Sequence, residues 1–125
     1  MVTATQATSR REAAGMIGSD KVEGTAVYRS NGEKVGQIER VMIDKISGKV
    51  AYAVMSFGGF MGIGEDYYPL PWSVLTYNPR LEGYEVNVTE QQLKGAPHYG
   101  RSDNWDWSDP ARGRSVYDYY GAAPY

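Results

Sequence analysis

Residue types that perform chemistry are scarce in this 125-residue chain, which has one histidine and no cysteine. Without cysteine there is no disulfide, no thiolate nucleophile and no thiolate metal ligand. His98 is the single imidazole, and it follows Pro97 beyond the last helical pattern. A metal there would need carboxylate partners, and Asp103 or Asp106 are the nearest downstream, but the spacing forms no recognisable ligand pattern. His98 is expected to be an exposed tail residue. Glu65 and Asp66 form an acidic pair beside a loop, followed by Tyr67 and Tyr68. Paired carboxylates do acid–base work when one is buried and its pKa is raised. Adjacent loop residues point apart, so a solvated loop end is expected. The segment Gly59-Phe60-Met61-Gly62-Ile63-Gly64 is glycine-rich. A phosphate loop must open a helix whose amides face the anion. Here a strand pattern and two carboxylates follow, so the expected role is a bend that folds Phe60, Met61 and Ile63 against the body or presents them as a contact surface. Neither a Ser-His-Asp nor a Cys-His arrangement is available. The expectation is no catalytic residue, no cofactor and no metal.

The formal net charge of -2 gives no basic footprint for nucleic acid. The tail offers Arg101, Arg112 and Arg114 among aromatics, as single-strand binders do, but Asp103, Asp106, Asp109 and Asp118 would repel phosphate. The first eleven residues are polar and lack the apolar core of a secretory signal. No stretch approaches the roughly 20 apolar residues of a membrane span. A soluble, cytoplasmic protein is expected.

The elements that would carry these residues are short. Apolar runs separated by turn residues at close intervals are the pattern of a small β-barrel. Residues 22–28 form a first strand, and Ser30-Asn31-Gly32-Glu33 a hairpin turn. Residues 35–44 form a second strand whose apolar positions change phase: Ile38 faces one way, Val41 and Ile43 the other. A bulge near Glu39 and Arg40 would bring all three inward. Residues 49–57 form a central strand with two apolar faces, Ala51, Ala53, Met55 and Phe57 against Tyr52 and Val54. Both must be covered. One lines the core, and the other needs a lid: the C-terminal tail, a helix or another subunit. Strands follow at 67–72, with Pro69 and Pro71 marking an edge, and at 84–88. Thr89 and Gln92 are spaced for a capping box, and Gly95 and Pro97 stop that helix. Residues 100–125 show no strand or helix periodicity, yet hold Trp105, Trp107, Tyr117, Tyr119, Tyr120 and Tyr125. The tail is expected to run as irregular chain over an apolar surface, anchored by Trp105 and Trp107. The expected core is Val27, Ile38, Val41, Ile43, Tyr52, Val54, Leu70, Trp72, Leu75, Val86 and Val88.

In the stretches Gly32-Glu33-Lys34-Val35-Gly36, Val41-Met42-Ile43-Asp44, Gly48-Lys49-Val50-Ala51-Tyr52-Ala53-Val54, Phe57-Gly58-Gly59-Phe60 and Pro69-Leu70-Pro71-Trp72, the chain resembles the PRC-barrel family, and most of all its small stand-alone bacterial members. The family is named for the cytoplasmic domain of the photosynthetic reaction-centre H subunit, and a related barrel closes a ribosome-maturation factor. With no membrane helix and no preceding RNA-associated domain expected here, neither role carries over. The resemblance implies a barrel used for protein contacts and no catalytic residues. The expected fold is mostly β: a small, strongly bent barrel of about five or six strands, a short C-terminal helix and an irregular aromatic-rich tail. The expected organisation is a mobile arm at 1–20, the barrel at 21–99 and the tail at 100–125. The expected function is a non-catalytic protein-interaction or assembly module that self-associates as a homodimer, its contacts made by Phe60, Met61, Ile63, Trp105 and Trp107. The alternative is a small-ligand-binding or enzymatic barrel using Glu65, Asp66 and the nearby tyrosines. It requires a concave pocket with converging polar groups, a convergence the sequence does not offer.

Overall fold

A computed structural model describes residues 15–57 and 66–123. The chain is mostly β, with seven strands in one sheet ordered β5-β6-β1-β2-β3-β4-β7. In chain order the elements are α1 (Ser19–Val22), β1 (Ala26–Arg29), β2 (Lys34–Ile43), β3 (Val50–Phe57) and β4 (Asp66–Pro71). A 3-10 turn (Trp72–Val74) leads to β5 (Leu75–Asn78) and β6 (Gly83–Val86). Then come α2 (Glu90–Lys94), β7 (Tyr99–Gly100) and α3 (Pro110–Tyr120). β1 and β6 run parallel; every other pairing is antiparallel.

Local chemistry sets the connections. In the β2–β3 turn the Asp44 carboxylate accepts the amides of Ile46 (2.9 Å) and Ser47 (2.8 Å), and Gly48 supplies a φ of 75°. Those amide bonds, Ser47 foremost, hold the Asp44 carboxyl below the usual carboxylate range. The capping box at α2 is complete: Thr89 Oγ1 accepts the Gln92 amide at 3.0 Å, and Gln92 Oε1 accepts the Thr89 amide at 2.8 Å.

β2 carries the bulge that its sequence implies. Ile38 pairs with Met55 and Arg40 with Val54, so Glu39 is the extra residue. Ile38 is fully buried, and Val41 packs against the same core. Ile43 does not. A second register shift lies between Met42, opposite Tyr52, and Ile43, opposite Val50. It turns the strand again and leaves Ile43 52% exposed. The expectation that Ile43 joins the core is therefore corrected.

The main core lies on the face of β3 that carries Ala53 and Met55. It joins them to Val27, Ile38, Tyr68, Leu70, Tyr84, Val86 and Leu93, with Trp72, Leu75 and Val88 packed at its margin. Cross-strand pairing builds it: Ala53 opposes Leu70, and Met55 opposes Tyr68. Gly36 sits so close to β3 that an added Cβ would strike the Ser56 carbonyl and the Met55 side chain. Pro69 and Pro71 are almost fully buried in β4. β7 pairs with β4 only at Asp66 and Tyr67, stopping short of the prolines.

Tyr52 and Val54 are buried, at 8% and 1% exposure, but not in that main core. They occupy the other face of β3, and the chain's own C-terminal segment covers Tyr52. Tyr52, Ala51, Val116 and Tyr117 form a second cluster, with Met42, Trp105 and Trp107 packed on it. The tail residues buried in it are Val116 and Tyr117, and the expected anchors Trp105 and Trp107 pack on it half-buried. The segment differs from the expectation in that Pro110–Tyr120 is helical. The Asp109 side chain caps the Ala111 amide at 2.9 Å, Pro110 opens the helix, and Gly121 closes it at φ 64°.

Candidate functional site

The covered outer face of the sheet is not covered throughout. Glu39 and Arg40 of β2, Val54 of β3, Tyr67 of β4 and Tyr99 of β7 line a cleft of about 370 Å³ together with Arg101 and Asp103. The bulge explains how two consecutive strand residues reach one cleft, since Glu39 and Arg40 would otherwise face opposite sides of the sheet. Val54 lies at the base of the cleft, almost fully buried. Tyr67 and Tyr99 form one wall, with ring centroids 5.5 Å apart. That wall continues into Trp105, 5.4 Å from Tyr99, then Trp107 and Tyr52. Arg112 lies 4.9 Å over the Trp105 ring as a cation–π partner. Asp103 Oδ2 accepts the Gly100 amide at 2.9 Å, and Arg101 Nε donates to the Tyr67 hydroxyl at 3.4 Å. The side chains of Glu39 and Arg40 have no hydrogen bond or ion pair among the described residues.

A second concavity lies at the other end of the sheet order. Gly15, Met16, Ile17, Trp72, Leu75, Tyr77 and Tyr84 line an apolar groove of about 300 Å³. It runs beside β5, an end strand of the sheet. Met16 is 80% exposed there. Burial, with a smaller effect from Tyr77, pushes the Tyr84 hydroxyl above its ordinary range.

The residues singled out from sequence are dispersed. Phe60, Met61, Ile63 and Glu65 lie outside the described residues. Trp105 and Trp107 are half-buried in the aromatic layer. Tyr67 and Tyr68 alternate across β4, so Tyr67 lines the outer cleft while Tyr68 enters the main core. Burial first, then the nearby Asp66 charge, raise the Tyr68 hydroxyl above its ordinary range. His98 is better fixed than a tail residue would be. It stacks on Tyr68 with centroids 4.9 Å apart, its Nδ1 donates to the Ala96 carbonyl at 2.8 Å, and Nε2 is 3.9 Å from Asp66. Neither Asp103 nor Asp106 serves it. Asp103 holds Gly100, while Asp106 accepts from Ser108, whose hydroxyl and amide hold the Asp106 carboxyl below its usual range. Among the described residues no three metal-ligating side chains gather.

One tail tyrosine lies between the two clusters. Tyr120 packs against both clusters, and its hydroxyl is buried with no hydrogen-bond partner. Burial, and less strongly Tyr119 and Tyr68, push it well above the ordinary phenol range.

The fold and this distribution of side chains fit the family that the sequence resembles. The PRC-barrel domain family matches residues 14–93, and the chain belongs to that family. No curated protein matches the chain. The family match ends before β7, so Tyr99, Arg101, Asp103 and α3 all lie beyond it. Among the described residues no helix is long and apolar enough to cross a membrane.

Proposed function

We propose that the protein is a non-catalytic protein-interaction or assembly module that pairs with a second copy of itself through the groove beside β5. The observation that carries this reading is the groove: apolar side chains, Met16 the most open of them, along an end strand with no further strand beside it among the described residues. Exposed apolar patches and unpaired strand edges are the surfaces that partners cover, and a two-fold dimer is the commonest way for copies of one chain to cover them. A catalytic reading through Asp66, Tyr67 and Tyr68 is disfavoured by the alternation that sends the two tyrosines to opposite faces. A cytoplasmic setting belongs to the same proposal and is compatible with the absence of cysteine.

Light scattering on the full chain and on Met16→Asp tests it. The full chain should be dimeric at micromolar concentration. Met16→Asp should be monomeric with unchanged circular dichroism, because that side chain is mostly in solvent. A full chain that stays monomeric across the micromolar range would refute self-association.

A further inference from the structure

We propose that the cleft on the outer face is a binding site for an extended peptide segment of a partner protein, one with an aromatic or aliphatic side chain flanked by charges of both signs. The inference rests on the protein-contact reading but uses a different surface. The cleft and the β5 groove share no lining residue, so a monomeric chain would leave this site standing.

Charge carries the argument first. The bulge puts Glu39 and Arg40 on one rim, and neither side chain has a partner among the described residues. An unpaired guanidinium next to an unpaired carboxylate recognises a ligand with both signs: Arg40 takes a carboxylate as a two-pronged donor, and Glu39 takes an ammonium or guanidinium. Arg101 and Asp103 line the same cleft, and each is already oriented, one toward the Tyr67 hydroxyl and the other by the Gly100 amide. A purely anionic ligand would be repelled by Glu39 and Asp103, and a purely cationic one by Arg40 and Arg101.

Shape supplies the rest. The cleft is lined from β2 through β3 and β4 to β7. Three strand spacings of about 4.8 Å make a span of roughly 14 Å, and an extended chain rising about 3.3 Å per residue covers that with about four residues. Between the rims lie the tilted rings of Tyr67 and Tyr99, with the buried Val54 beneath, a bed for one large apolar side chain. The Tyr99, Arg101 and Asp103 side of the site lies beyond the family match.

Nitrogen-15 labelled full chain, titrated by two-dimensional NMR, decides it. The probes are a capped pentapeptide with central tryptophan, lysine at one end and glutamate at the other; the same peptide with lysine at both ends; the same with glutamate at both ends; and N-acetyl-tryptophanamide. The mixed-charge peptide should shift the amides of Glu39, Arg40, Val54, Tyr67 and Tyr99. It should bind about five-fold tighter than either single-sign peptide. Arg40→Glu, an exposed position that should leave the remaining spectrum intact, should weaken it about ten-fold. The proposal is overturned if millimolar mixed peptide shifts none of these amides, if N-acetyl-tryptophanamide binds equally well, or if Arg40→Glu leaves the affinity unchanged.

Discussion

The two faces of β3 are buried by different means. On one, Ala53 and Met55 pack with fully buried aliphatic side chains and with Tyr68 and Tyr84 from the other strands, closed by Leu93 of α2. On the other, Tyr52 packs with rings and with α3, and the Tyr117 hydroxyl reaches the Ala51 carbonyl across 66 residues of sequence. The first layer lies almost wholly within the family match, and the second draws its cover from beyond it. Close packing around fully buried side chains makes the loss of even one methylene costly. The rings of Tyr52 and Tyr117, at 8% and 7% exposure, are less completely enclosed. The inner layer is thus the more completely buried of the two, and each layer has a concavity at its margin.

That contrast breaks most sharply at Leu70. It is fully buried in the inner core, and Leu70→Ala should cost about 2–5 kcal/mol, read from urea unfolding. A loss below about 1 kcal/mol would mean the inner layer is not the tighter one. Asp109→Ala removes the cap of α3 and should cost about 1 kcal/mol. Its signature should be local: amide exchange in α3 accelerates while β3 amides stay protected. Uniform acceleration would show the two layers opening as one unit. The smallest effect is at Tyr120, which touches both layers. Its hydroxyl has no partner, so Tyr120→Phe should change stability at neutral pH by no more than about 0.5 kcal/mol. At alkaline pH the variant should differ. Tyr120 titrates higher in the folded chain than the ordinary phenol value near 10. Above about pH 10 the unfolded chain therefore loses this proton first, and stability falls as pH rises. Tyr120→Phe should make that alkaline decline shallower; an identical pH profile would show that the group is not buried.

Much of the inner layer was legible in the sequence because its signals are local. The phase break between Ile38 and Val41 marks the bulge, the Thr89–Gln92 spacing marks the capping box, and the two-sided apolar run 50–57 marks a covered central strand. Ile43 escaped because a second register shift follows the first within a few residues, and apolar phase alone does not count bulges. α3 escaped although its ends were written plainly: Asp109, Pro110 and Gly121 are a cap, a first-turn proline and a left-handed stop. Gly113 and a buried stripe made mainly of tyrosine hid its period. The cleft was illegible for a different reason. Glu39 and Arg40 are separated from Arg101 and Asp103 by some 60 residues, and only the short β7 pairing brings them to one face.

The prolines of β4 have a consequence for how copies of this chain can add to one another. A sheet lengthens sideways by donating amide hydrogens to an incoming strand, and Pro69 and Pro71 have none to give. β7 occupies the remaining part of that side, at Asp66 and Tyr67. Beyond the two-residue β7, the β4 side therefore offers prolines where an added strand would need amides, whereas β5 (Leu75–Asn78) has no proline. In the proposed dimer each copy would use its β5 end alone, so that growth would halt at two.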